Sequence, residues 1–369
     1  MEIPGTEAKT EEYLLEGRRG GLRGRLKETV PAAAGRFPPR LLSLLVFTAG
    51  LFLLVHALAY LATTLAPDGN TRFLQADLEH LRRLEQGAGR IEALALGNSH
   101  TGALDMAALG YQNGYRFARA DGDLFETRHY LEQLLPRLPR AGVVLIPLSY
   151  FSFETDNSLA AEVELRRAHL YASVDSWRFL EGDFLNLLRG KSQVYFPVLS
   201  LVREDNWEGV FYALLGDPVE QKGFIEVEAG DCSSLSPEQM QASVENRVAK
   251  YLRLTGEMRA RNPALAQENA ANVAAIQQLG QALGRRVVFF TPPYLQSYTE
   301  HYQEQDGETL AAMRLAVERL VREQGIEYYD FSQSPPFTRS PELYKDSDHL
   351  NACGMQQFSQ LFREALAKR

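Results

Sequence analysis

From Leu41 to Ala66 the sequence reads LLSLLVFTAGLFLLVHALAYLATTLA, with no charged side chain. A helix of a soluble domain keeps one polar face, and this run has none; it also exceeds the ~20 residues that span a hydrocarbon core. The segment 41–66 is therefore expected to be a transmembrane helix, and the rest of the chain must fold around that anchor. Arg18, Arg19, Arg23, Arg25, Lys27, Arg36 and Arg40 precede it with Glu28 as the one acid among them, whereas Pro67 to His80 offers only Arg72. Basic residues stay on the cytoplasmic side of a span. The expectation is a single-pass protein of the bacterial inner membrane, with a cytoplasmic N-terminus and everything after Pro67 in the periplasm or outside the cell. A cleaved signal peptide would suit small-residue sites at Ala57-Leu58-Ala59 or Thr64-Leu65-Ala66, but the long polar leader and the length of the run favour an uncleaved anchor.

Residues 1–40 mix Glu-rich and Arg/Gly/Pro-rich stretches without apolar periodicity, and read as a disordered, basic cytoplasmic tail. Residues 67–90 carry a helical pattern (Phe73, Leu74, Leu78, Leu81, Leu84) and read as a stalk or first packing helix. From residue 91 short apolar strands alternate with helices. Strands are expected at Ile91 to Leu96, Tyr115 to Ala120, Gly142 to Leu148, Arg286 to Thr291 and Ile326 to Phe331. Helices are expected at Leu124 to Leu135, Asn269 to Leu283 and Glu308 to Gln324, with helix-compatible residues also from Gly102 onward. The strands are continuously apolar rather than alternating, as a sheet buried on both faces requires. The expected fold over 91–369 is α/β: a flavodoxin-like three-layer α/β/α sandwich around a parallel sheet, preceded by the one transmembrane helix. Residues 151–265 break the rhythm and read as an insertion near the strand ends, where substrate-binding elements of open α/β sheets gather. Its Arg166, Arg167, Tyr171, Trp177, Arg178 and Tyr195 suit a carbohydrate groove, with ordinary packing as the competing reading.

The formal charge is −8 and no basic patch flanks the motifs, so no nucleic-acid partner is expected. The two cysteines, Cys232 and Cys353, lack C-x-x-C spacing; a disulfide and two free thiols stay open as alternatives. His100, Asp121, Asp348 and His349 have no ligand spacing, and neither a metal nor another cofactor is expected.

Gly97-Asn98-Ser99-His100-Thr101 follows the first buried strand directly, which places Ser99 at the carboxyl edge of the sheet. A helix beginning there would supply free N–H groups and a partial positive charge to an oxyanion. Serine is a weak nucleophile and needs a base. Near the other end, Tyr344-Lys345-Asp346-Ser347-Asp348-His349-Leu350-Asn351-Ala352-Cys353-Gly354 holds an Asp-x-x-His spacing in which one imidazole nitrogen meets a carboxylate and the other faces the serine. Asp348 competes with Asp346 for the carboxylate role. Helix capping is the competing reading of Ser99, and that of Pro292-Pro293-Tyr294 is a rigid strand-ending turn. His100 reads as a turn residue or hydrogen bonder behind the site, together with Asn98, Asp348 and Asn351.

The Gly-Asn-Ser-His string after a strand, with Asp and His late on neighbouring turns, resembles the SGNH/GDSL hydrolase superfamily. The N-terminal anchor and the Asp-Ser-Asp-His-Leu-Asn-x-x-Gly string are similar to its membrane-anchored branch, which holds polysaccharide O-acetylation proteins and the teichoic acid D-alanyl transfer protein. The resemblance covers roughly Ile91 to the C-terminus and is weak in the middle. It implies Ser99 as nucleophile, Asp346 and His349 as the rest of the triad, and an oxyanion N–H from Gly122 beside that of Ser99. The family's Gly-x-Asn-Asp block should follow Gly142 to Leu148, yet the chain reads Pro147-Leu148-Ser149-Tyr150 there, leaving Ser149, or the more distant Asn157, as substitute donor. What the resemblance implies is an O-acyl (acetyl) transferase or esterase acting on a cell-surface or exported polysaccharide, with a membrane-bound O-acyltransferase as partner for a transferase. The alternative is a catalytically degenerate scaffold or binding component of an envelope assembly.

Overall fold

The computed structural model of the 369-residue chain describes residues 43–54, 57, 79–119, 122–157 and 231–368. Residues 43–54 are helical, with Leu44, Val46, Phe47 and Leu53 exposed. No helix among the described residues is long and apolar enough to cross a membrane; the remainder of the expected span, the tail and most of 67–90 lie outside the described residues.

The strands are β1 (Ala93–Gly97), β2 (Gly114–Ala118), β3 (Val143–Pro147), β4 (Arg286–Thr291) and β5 (Glu327–Asp330), in the order β2-β1-β3-β4-β5 and all parallel. The chain is therefore α/β with a parallel sheet. The pleat explains the continuous apolar runs. On one face Ala93, Ala95, Leu145, Val288 and Phe290 join one buried cluster; on the other Leu94, Leu96, Val144, Ile146, Val287 and Phe289 join a second. Phe289 and Phe290, adjacent and fully buried on opposite faces, each contribute about 1.5–3 kcal/mol of burial, so β4 anchors both layers.

Helices cover both faces. α1 (Leu124–Leu134) starts at a capping box in which Asp123 accepts from the Glu126 N–H and Glu126 accepts from the Asp123 N–H, and it buries Leu124, Leu131 and Leu134. α2 (Pro237–Arg261) starts the same way at Ser236 and Gln239, with proline at its first position. Its buried Met240, Val244, Val248 and Tyr251 belong to the first cluster, so this part of the expected insertion is a core helix. Residues 158–230, including the aromatic and arginine candidates of a groove, lie outside the described residues. α3 (Leu265–Ala282) packs on the second face. α4 (Gln296–Gln324) begins well before the expected Glu308 and is broken at Asp306 (φ −151°, ψ 65°). Its first half, QSYTEHYQEQDG, has a polar look with a turn-like Asp-Gly, but burial of Tyr298 and Tyr302 holds it helical. α5 (Ala352–Ala367) closes the first face with Phe358 and Phe362.

No α-helix follows β1, contrary to expectation. Ser99–Ala103 is a single 3₁₀ turn that ends at an extended Leu104. Asp105 Oδ1 then accepts from the N–H groups of Ala107 and Ala108, a local turn that outcompetes helix growth. With no helix behind Ser99 there is no macrodipole to invoke, and only the turn's own N–H groups remain.

Gly97 allows this geometry. A Cβ there would lie 2.7 Å from Pro147 Cδ and 3.1 Å from Thr101 Oγ1. Replacing Gly97 by alanine is expected to destabilise the fold by about 1–3 kcal/mol through overpacking, read as a lower urea midpoint at unchanged slope.

Candidate active site

Strand order reverses between β1 and β3, so their carboxyl ends border the crevice where open α/β sheets bind ligands. Ser99 opens the turn after β1, and its Oγ lies 2.9 Å from His349 Nε2. Nδ1 of the same ring is 2.9 Å from Asp346 Oδ1 and 3.1 Å from Oδ2. Asp346 Oδ1 also accepts from the backbone N–H groups of His349 at 2.8 Å and Asp348 at 3.1 Å. That side-chain-to-backbone turn is why the Asp-x-x-His spacing brings carboxylate and imidazole together. Asn351 ends the loop by accepting from the Gly354 N–H at 3.0 Å, which caps α5. Its amide donates to the carbonyls of Glu342 at 2.7 Å, Cys232 at 3.1 Å and Ser233 at 3.2 Å. Cys232 and Cys353 form a disulfide, Cα atoms 5.2 Å apart, which ties residue 232 to the first turn of α5.

Asp348, with no exposed side-chain surface, lies behind Asp346 and His349. Its Oδ1 is 3.1 Å from His349 Nδ1 and 3.2 Å from Arg247 Nε, and its Oδ2 is 3.3 Å from His100 Nε2. Arg247 also reaches Asp346 Oδ2 at 3.2 Å, so one guanidinium bridges both carboxylates. Both acids therefore face His349, and only Asp346 makes an aligned hydrogen bond to it.

Protonation follows from these contacts. Burial pushes Asp348 up, but the charges of His349 and Arg247 outweigh it and hold the carboxyl well below its usual range. Burial likewise pulls His349 down, and Asp346 then Asp348 overcome it, raising the imidazole to about 9. His100 is lowered by burial and is neutral at ordinary pH. Its Nε2 faces a carboxylate and carries the proton, so Nδ1 accepts, from the Ser149 hydroxyl at 2.6 Å with the Tyr294 hydroxyl at 3.1 Å. Ser149 Oγ accepts from Asn98 Nδ2 at 2.9 Å, and Asn98 Oδ1 accepts from the His100 N–H at 3.0 Å.

Ser149 is thereby removed from the expected oxyanion role. It is fully buried, its hydroxyl serves His100, and its N–H donates to Ser152 Oγ at 2.8 Å. Asn157 caps a different cluster, donating its N–H to Asp123 Oδ2 at 2.8 Å and its amide to Glu126 Oε2 at 2.8 Å. Gly122 lies against the Ser99 turn: a Cβ on it would meet Gly97 O at 3.3 Å and Asn98 Cα at 3.4 Å, and its N–H reaches back to Arg119 O at 3.3 Å. The donor atoms of His100, Asp348 and His349 lie within 4.8 Å of one another, close enough to share a cation, but the positive charge beside Asp348 is already that of Arg247 and His349. Asp121 lies outside the described residues.

Arg247 escaped the sequence reading. It falls on the helical stripe Met240, Val244, Val248, Tyr251, and a cation on an otherwise apolar face is the signal that marks it. Tyr294 packs on His100 at 5.4 Å between ring centroids, behind the side chains that line the cavity. Ser99 and His349 open into a cavity of about 120 Å³ also lined by Arg116, Lys345, Leu350 and Met355.

Comparison with known proteins yields no matching family model and no matching curated protein.

Raised above its ordinary 6.5, His349 contributes stability as imidazolium below that value and loses it as pH rises through about 9. Histidine NMR should show the His349 ring releasing its proton near that pH, and Asp348→Asn, which removes one anion, should lower the midpoint. Removing the disulfide by Cys353→Ser should cost about 2–5 kcal/mol of unfolding free energy, measured in denaturant.

Proposed function

We propose that the chain is an SGNH-type serine acyltransferase or esterase, anchored in the bacterial inner membrane by residues 41–66, with its α/β domain outside the cytoplasm and a cell-surface or exported polysaccharide as acyl acceptor. The observation that carries this reading is the Ser99 hydroxyl 2.9 Å from an imidazole whose other nitrogen is held by a carboxylate. In the unprotonated ring Nδ1–H donates to Asp346 and Nε2 accepts from the Ser99 hydroxyl. Ser99 Oγ attacks the ester carbonyl carbon while Nε2 takes the hydroxyl proton, and the imidazolium passes that proton to the departing alkoxide. An acceptor hydroxyl, or water, then attacks the acyl-enzyme, His349 takes its proton, and Ser99 is released with its proton restored. Transfer and hydrolysis share every step except the identity of that last nucleophile.

The small cavity suits a short acyl group. About 120 Å³ holds an acetyl group with room beside it for a small polar group, and the rest of the substrate extends through the open mouth. For a transferase with a single span, a membrane-bound O-acyltransferase partner would deliver the acyl group from the cytoplasmic face. One observation favours the scaffold alternative: an imidazole at about 9 is mostly protonated at neutral pH and is then no base.

The test is intact-mass spectrometry of the full-length protein with p-nitrophenyl acetate. An acetyl adduct is expected on the wild type and absent from Ser99→Ala, with His349→Ala slowing acylation by roughly 10³-fold or more. Because His349 must lose its proton to act, acylation should rise roughly tenfold per pH unit below about 9 and level off above it. Folded wild-type protein that forms no adduct at pH 9.5, a pH of about half a unit above the imidazole's value, would turn the reading to a scaffold.

A further inference from the structure

Arg116 stands on β2 and lines the cavity that holds Ser99. Among the described residues only one nitrogen of its guanidinium is engaged: Nη1 donates to the carbonyls of Leu104 at 2.7 Å and Gly102 at 3.3 Å and touches Met355 Sδ at 3.7 Å. Nη2 and Nε have no protein acceptor among the described residues, and no carboxylate there pairs with Arg116. Lys345, from the His349 loop, lines the same cavity and also lacks an ionic partner among the described residues.

The acids nearby have other hydrogen-bond partners: Asp105, whose field acts on Arg116, accepts from the N–H groups of Ala107 and Ala108. Asp346 and Asp348 are balanced by Arg247 and His349. Asp231, at the rim, accepts from the Ser233 N–H at 2.8 Å and from its hydroxyl at 2.7 Å. The cavity therefore holds two cations, Arg116 and Lys345, that make no ion pair among the described residues, while Asp105 acts on Arg116 only at a distance and Asp231 stands exposed at the rim. A partly buried guanidinium without a direct ion-pair partner is costly, and its planar fork of N–H donors matches a carboxylate, phosphate or sulfate. Nη1 is fixed by two carbonyls, so the remaining donors are held in place before any ligand arrives, which lowers the entropy lost on binding.

We propose that Arg116, assisted by Lys345, recognises an anionic group on the molecule whose acyl group Ser99 takes, seated in the same cavity as the scissile ester. The inference rests on the acyl-transfer reading and adds the charge of the substrate to it. The anion sits either on the alcohol side, as on an acidic sugar ester, or at the far end of the acyl chain.

Paired esters of similar size, one member of each pair anionic, test it on the full-length protein. For the alcohol side, 4-acetoxybenzoate is compared with 4-acetoxybenzamide; for the acyl side, mono-p-nitrophenyl succinate is compared with p-nitrophenyl butyrate. Wild type is expected to favour one anionic ester about tenfold in kcat/KM, as a charge-assisted bidentate contact supplies, with the difference in KM. Arg116→Gln should bring that ratio near one, and Arg116→Lys, which keeps the charge, should retain part of it. Ratios near one in wild type for both pairs, or a preference that survives Arg116→Gln, would overturn the inference. Calorimetric titration of Ser99→Ala with the same pairs reads recognition without turnover. If no ester acylates wild type, the functional reading fails, while tighter binding of one anionic partner would still uphold Arg116 as an anion site and equal affinities would sink it.

Discussion

A carboxylate with no surface in water must be met by positive charge or give up its own, and Asp348 is met from three directions. Arg247 comes from α2, His349 from its own loop and the ring Nε2 of His100 from the turn after β1. The ends of the described domain are thus joined at one point, because the Ser99 turn, the Asp-Ser-Asp-His loop and α2 all depend on the same buried anion. Removing one of these partners would leave charge uncompensated in the interior, which costs more than the contact itself contributes.

That cluster also explains why two acids face one imidazole. Asp346 is bound into its own backbone turn and supplies the aligned hydrogen bond, while Asp348 holds the layer behind it. Arg247 bridges the two and limits their mutual repulsion. Behind His100, the hydroxyl and ring of Tyr294, then Tyr150 and Tyr298, fill the space beneath the site with aromatic side chains and exclude water from the hydrogen-bonded chain.

Much of the fold was legible because parallel strands buried on both faces leave a distinctive apolar run. Arg286–Thr291 coincides with its expected limits, and α1 differs by one residue at its C-terminal end. The helix expected after Ser99 was not there, since local turns at Asp105 and Gly110 compete successfully with helix growth in that segment. The first half of α4 was invisible for the opposite reason: its sequence is polar and turn-like, and only the burial of its tyrosines makes it helical. Ser149 was placed near the right strand end but faces inward, a direction that spacing does not encode.

By itself the sequence determined the alternation of strand and helix, the placing of Ser99 at a strand end and the internal turn that aligns Asp346 with His349, because each depends on neighbours a few residues apart. Tertiary structure alone decided that Ser99 meets His349, that Arg247 bridges two acids, that Cys232 pairs with Cys353, and that Arg116 shares a cavity with Ser99. These are contacts between residues far apart in the chain, and they exist only once sheet order and helix packing have fixed which strand ends share an edge.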